Sequence, residues 1–234
     1  MTENTPNSII TTDPDPGIPP FTTHPSISRF KVPYPTYLTT LFQQHPSTPI
    51  AVRWVGVGAL AFDRSDRVLL VQRAATDSMP NLWEIPGGGC DEDDPSILHS
   101  VVRELKEESG LTATAVGPMV HLRDEGEEDG GDLSYVFLTR SRKIVAKFNF
   151  LVAVELESSE GQGVRLDPEE HQAFLWADEE EVKAGRVGEF EVRFTTKEQR
   201  EVILRAFAAW RMWKPEIVKN RQEPLGGQGK EGKL

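Results

Sequence analysis

The stretch GGGCDEDDPSILHSVVRELKEESGL, residues 87–111, decides how this chain folds. Its three opening glycines, with Pro86 just before them, cannot hold a regular element and read as a loop. Its second part, from Ser96 onward, reads as a helix. Gly110 closes it just past the last turn, where a positive φ is tolerated. On a helix advancing about 100° per residue, Leu98, Val101, Val102 and Leu105 share one arc and form a buried face. Glu104, Glu107 and Glu108 border that arc, because spacings of three and four bring side chains together. Three like charges so close destabilise a bare helix by roughly a few tenths of a kcal/mol per pair. Either water screens them or a cation holds them. A hard divalent ion such as Mg²⁺, commonly held by one or two carboxylates plus substrate phosphates, suits such a patch. The bland alternative is a solvated acidic face, but a ligand-approachable glycine loop before the helix weighs against it. His99 falls off the carboxylate face and reads as a solvated helix residue.

Outward from this core, AVRWVGVGALAF and RVLLVQRA are β-rich runs joined by the turn DRSD, which reads as a hairpin. Downstream, ATAVGPMVHL, DLSYVFLTR and IVAKFNFLVAVEL read as strands, with the acidic loop RDEGEEDGGD between the first two. LDPEEHQAFLWADEEEV reads as loop, short strand and helix start. TTKEQREVILRAFAAWRMW is a terminal helix with Thr195 or Thr196 as N-cap. Strands thus precede and follow one central helix, which predicts an α/β (α+β) sandwich with a mixed sheet. Residues 1–28, rich in Pro, Thr and Ser, are expected to be disordered. Residues 29–49 form an extension with a docked helix carrying Leu38, Leu41 and Phe42. Residues 50–215 form the folded domain, and 216–234 a disordered tail.

The whole chain sets bounds on function. A net charge of −11 over 234 residues argues against a general grip on nucleic acid. Cys90 is the single cysteine, so no internal disulfide forms and a reducing compartment is expected. The start MTENTPNSII lacks the features of a signal peptide, and no stretch approaches the roughly 18 apolar residues that span a bilayer. A soluble, cytoplasmic protein is expected.

At this point a resemblance carries further than the pattern alone. GGGCDEDDPSILHSVVRELKEESGL resembles the Nudix box, the loop–helix–loop signature of Nudix hydrolases, and Arg103 to Leu111 match its second half at every defined position. VLLVQRA, LWEIPGG and DPEEHQAFLW resemble the family's flanking strand and loops, so the likeness spans roughly residues 50–185. There is one departure. Counting back from Arg103 to the pattern's first glutamate lands on Pro95, and counting forward from Gly88 lands on Asp94. Either the loop carries an extra residue, or Asp93 or Asp94 replaces that glutamate.

The resemblance implies a Nudix-type sandwich and a Mg²⁺-dependent pyrophosphohydrolase, with Mn²⁺ as a possible substitute. It implies Glu104, Glu107 and Glu108 as metal ligands, with the carbonyl of Gly87, or less so Gly88, adding one. Arg103 would be structural, paired with a loop carboxylate, as would Gly110. The reaction would be attack of water on phosphorus in a nucleoside diphosphate linked to another moiety, or a related organic pyrophosphate. Glu170, ahead of Glu169, is the candidate general base, with Glu104 the other. Arg73, Trp83, Gly88, Gly89 and His171 are candidates for substrate binding, although Trp83 also fits as core filler. The alternative is an inactive Nudix-fold module that binds nucleotides or a protein. Phe207, Trp210 and Trp213 share one face of the terminal helix and are expected to pack on the sheet or on a second copy in a homodimer.

Overall fold

The computed structural model describes residues 10–11, 17–44, 52–122, 135–139, 141–155 and 163–222, with side chains described over 17–214 of these. Short elements come first: β1 (Ile10–Thr11), β2 (Thr22–Thr23), a 3-10 turn over Pro25–Phe30 and α1 (Tyr34–Gln44). Then follow β3 (Trp54–Phe62), β4 (Val68–Arg73), β5 (Trp83–Glu84), α2 (Ile97–Ser109) and β6 (Thr112–Met119). The chain continues through β7 (Val136–Leu138), β8 (Ile144–Glu155), β9 (His171–Ala177) and α3 (Glu179–Ala184). It closes with β10 (Arg186–Val187), β11 (Phe190–Glu191) and α4 (Lys197–Gln222).

Among the described residues, nine strands form one mixed sheet in the order β1-β2-β6-β8-β3-β4-β5, with β7 added on β8 and β9 on β4. β3 and β8 run parallel from Trp54↔Val145 to Phe62↔Ala153. Side chains alternate across the sheet with period two. Val55, Val57, Ala59, Phe148, Phe150 and Val152 therefore meet the apolar face of α2. Leu60, Phe62, Leu151 and Ala153 face the opposite way, onto Val202, Ile203, Phe207, Trp210 and Trp213 of α4. The result is the expected α/β/α sandwich. The aromatic face of α4 packs on the sheet: Trp210 stacks on Phe62 at 4.8 Å. Its indole N–H donates to Asp66 Oδ1 at 2.8 Å, in the β3–β4 turn. Thr196 is the N-cap, its hydroxyl accepting from the Gln199 N–H at 3.0 Å.

Several expectations are corrected. Disorder was expected over residues 1–28, but from residue 17 the segment packs on the domain, with Phe21, Ile27 and Phe30 buried. Burying an aromatic or branched side chain contributes about 2–3 kcal/mol, and a few such anchors offset the ordering of a Pro- and Thr-rich segment. The His24 N–H also donates to the Val116 carbonyl at 2.9 Å, fastening the segment beside β6. His99 is buried rather than solvated, because this segment covers it: Phe21 meets its ring edge-on at 5.2 Å. At the other end α4 continues to Gln222, beyond the boundary expected at 215. The acidic loop RDEGEEDGGD lies outside the described residues except for its neighbours.

One departure from simple hairpin pairing creates the site. β3 and β4 are in register at Phe62↔Val68 and then diverge. The glycine loop fills the opening as an extra strand-like run along β3. The Ala59 N–H donates to the Pro86 carbonyl at 2.8 Å, Val57 N–H to Gly88 at 2.9 Å, and Cys90 N–H to Val55 at 2.9 Å.

Candidate active site

The loop is fixed to the helix that follows it by one arginine. Arg103 donates from Nε to Asp94 Oδ1 at 3.0 Å and from Nη2 to Oδ2 at 2.9 Å, a bidentate pairing. The same guanidinium reaches the Gly89 carbonyl at 3.0 Å. Asp94 also accepts from the Ser100 hydroxyl at 2.6 Å and the Asp91 N–H at 2.9 Å. Burial works to raise the Asp94 carboxyl, but Arg103 and Ser100 outweigh it and hold it below its ordinary value. Asp94 therefore braces the loop, whereas Asp93 points to solvent.

Arg103 also ties two of the three box carboxylates together, donating to Glu104 Oε1 at 2.8 Å and Glu107 Oε2 at 3.0 Å. Glu104 and Glu108 are buried while Glu107 is exposed. The Gly87 N–H donates to Glu108 Oε2 at 2.8 Å. Burial raises the Glu104 carboxyl, with Arg103 opposing. Burial pushes Glu108 up to about 9 against the Gly87 hydrogen bond, with Glu104 and Glu84 adding to the rise. Gly87 (φ 152°) and Gly88 make this closeness possible: a Cβ on Gly87 would strike the Val57 carbonyl, and one on Gly88 would lie 2.5 Å from Glu104 Oε2.

From elsewhere in the chain come Glu170, in the turn before β9, and His171, its first residue. Donor atoms of Glu108, Glu170 and His171 lie within 4.8 Å of one another. Arg73, by contrast, is engaged by Asp77 at 2.5 Å and by Glu84, so its guanidinium orders the β4–β5 region. Trp83 is buried in the core shared with α4. Gly89 is open to solvent, and no atom would crowd a Cβ there.

The sequence reading missed Lys147 and Asn149. They alternate with core residues of β8 and lie in register with Gly56 and Gly58 of β3, whose missing side chains leave them room. Lys147 Nζ donates to the Val57 carbonyl at 2.6 Å. Burial lowers its ammonium, opposed by Glu84, Glu108 and Glu104, so it is a second positive charge among the acids beside Arg103. Asn149 is buried with its Oδ1 lacking a hydrogen bond among the described residues. The signal was there: a lysine and an asparagine within the otherwise apolar run IVAKFNFLVAVEL, opposite two glycines.

The model of the NUDIX domain matches residues 52–204. The chain is 31% identical over 130 residues to a CTP pyrophosphohydrolase of Escherichia coli (strain K12), covering 56% of this chain and 80% of that protein. It is also 31% identical over 131 residues to the m7GpppN-mRNA hydrolase NUDT17 of Danio rerio, of which it spans 43%. Among solved structures, the MutT protein of Methanosarcina mazei Go1 aligns at TM-score 0.47 and 18% identity, covering 70% of this chain and 99% of that one. Among the described residues no helix is long and apolar enough to cross a membrane.

Proposed function

The chain belongs to the NUDIX domain family and is a pyrophosphohydrolase, and from that membership we propose that it uses divalent cations to cleave a nucleoside diphosphate linked to another moiety. The γ-phosphate of a nucleoside triphosphate is one such moiety, and CTP is the nucleotide in the name of the Escherichia coli relative. The observation that carries the reading is the burial of Glu104 and Glu108 against a glycine loop, with both carboxyls driven above their ordinary values. Buried carboxylates so close are costly unless a cation shares them. The donors fit Mg²⁺ or Mn²⁺, with Glu104, Glu107, Glu108 and the Gly87 carbonyl as holders. The Gly88 carbonyl is already engaged by Val57.

When bound, the cation neutralises phosphate oxygens and lowers the pKa of the attacking water. The chain's own residues supply the rest. Glu170, on the loop facing Glu108, takes the proton as the water oxygen bonds to phosphorus. The bridging P–O bond breaks, and its electron pair leaves with the departing phosphate. Arg103 holds Glu104 and Glu107 in place throughout. Lys147 supplies positive charge beside Glu104 and Glu108.

The test is Mg²⁺-dependent release of products from a panel of nucleoside triphosphates, nucleotide sugars, ADP-ribose and dinucleoside polyphosphates, comparing the wild type with Glu107→Gln. The variant should lose about a thousandfold in rate. Equal rates, or no turnover of any substrate with no metal-induced stabilisation, would overturn the reading.

A further inference from the structure

His171 is 3% exposed, and neither of its ring nitrogens makes a hydrogen bond among the described residues. A neutral imidazole has one N–H donor and one bare acceptor, and leaving either unmet in the interior costs about 1–3 kcal/mol. A fold tolerates that where a ligand completes the group. Three features bear on what the ligand is. Donor atoms of His171, Glu108 and Glu170 converge within 4.8 Å. Glu84 Oε1 lies 3.5 Å from His171 Nε2, where a carboxylate can orient the ring through one nitrogen while the other stays available. Glu84 is itself fixed by Arg73, which also holds Asp77.

We propose that Glu108, Glu170 and His171 form a divalent-cation position with an imidazole ligand, which takes first-row transition ions such as Mn²⁺ in preference to Mg²⁺. The argument is one of donor chemistry. Mg²⁺ selects oxygen and keeps its waters, whereas imidazole nitrogen favours transition ions. The backbone that carries the ring is held from two sides: the register pairs His171 with Arg73 of β4, and in the turn before β9 the His171 N–H donates to the Asp167 carbonyl at 2.8 Å. Glu170 can ligate through one oxygen and keep the other for the proton of the attacking water. Arg73 and Glu84 then act as positioning residues that aim the ring. The inference rests on the cation-binding reading of this cleft given above.

The test is pulsed EPR of Mn²⁺ bound to the full chain, with calorimetric titration of Mn²⁺ and of Mg²⁺ in parallel. The wild type should show nitrogen coupling from one imidazole and a Mn²⁺ affinity at least about tenfold above that for Mg²⁺. His171→Gln should abolish the coupling and flatten the preference. Glu84→Gln, which keeps the ring but weakens its orienting partner, should cut Mn²⁺ affinity by about 10- to 100-fold. Should His171→Gln fail to fold, the wild-type spectrum with Glu84→Gln still decides. Bound Mn²⁺ without nitrogen coupling, or coupling that survives His171→Gln, overturns the inference. If Mg²⁺ supports wild-type hydrolysis while no coupling appears, the inference falls and the proposed function stands. If no divalent ion binds at all, both fall.

Discussion

Arg103 and Asp94 face each other across the loop–helix junction with two parallel hydrogen bonds, of 3.0 Å and 2.9 Å. The pair closes the glycine loop onto α2 and, through the remaining guanidinium nitrogen, aligns Glu104 with Glu107. A single contact therefore links the stability of the loop to the geometry of the carboxylates.

Asp94→Asn should destabilise the fold by about 2 kcal/mol, since it leaves a partly buried arginine short of its partner. Hydrolysis should fall with it. Asp93→Asn, at an exposed position, should stay within about 0.5 kcal/mol of the wild type. Urea denaturation of both variants checks this, and a larger loss from Asp93→Asn would show that the brace is misassigned.

Glu108→Gln should separate stability from activity. The folded Glu108 carboxyl titrates at about 9, well above an unfolded glutamate. The folded state thus binds this proton more tightly than the unfolded chain, and the group erodes stability progressively as pH climbs from about 4.5 to about 9. A neutral amide escapes that penalty and keeps an acceptor for the Gly87 N–H. In metal-free buffer the variant should be more stable than the wild type by about 1–3 kcal/mol near pH 8, the gap closing toward about pH 4.5. Hydrolysis should be lost throughout. Denaturation curves across that range, with chelator, give the answer; a wild type that is the more stable at every pH sinks it.

Adjacent glycines should respond differently to alanine. At Gly87, with φ 152° and the Val57 carbonyl in the way, Gly87→Ala should cost about 3 kcal/mol or more. At Gly88 the atoms nearest an added Cβ are those of the Glu104 carboxylate, which can yield by breaking away from Arg103. The fold should survive, and the rate should drop by about a hundredfold as Glu104 moves. Melting temperature and hydrolysis measured side by side distinguish them, and equal effects on both would contradict the geometry.

Phe30→Ala tests the docked N-terminal segment. Phe30 is fully buried, with Tyr37, Phe148 and Phe150 all within 5.1 Å of it, centroid to centroid. Truncation should cost about 3–5 kcal/mol. A loss below about 1 kcal/mol, measured by denaturant titration, would mean that the segment adds little to the core.

What could be read without coordinates follows the range of the interactions. Arg103, Glu104, Glu107 and Glu108 lie within two turns of one helix, so sequence spacing alone brings them together. The apolar arc of α2 and the aromatic face of α4 were legible for the same reason. Composition misled at the N-terminus, because averaging over Pro and Thr hides the three anchors Phe21, Ile27 and Phe30. The helical wheel placed His99 correctly with respect to its own helix, yet a wheel cannot show that Phe21 covers it.

The sequence by itself determined the loop–helix unit and the carboxylate triplet, since each depends on residues a few positions apart. It reached the sandwich class from the order of strands and helices together with the resemblance of roughly residues 50–185 to the Nudix family. Only the tertiary structure decided which aspartate braces the loop, because that depends on loop torsions that bring Asp94 and not Asp93 to Arg103. It alone placed Lys147 among the acids, through the parallel register of β3 and β8. It alone carried His171 and Glu170 across to Glu108, through the pairing of β9 with β4. Those pairings join residues far apart in the chain, and their register is fixed by which face of each strand is buried against the rest of the sandwich, which no local pattern contains.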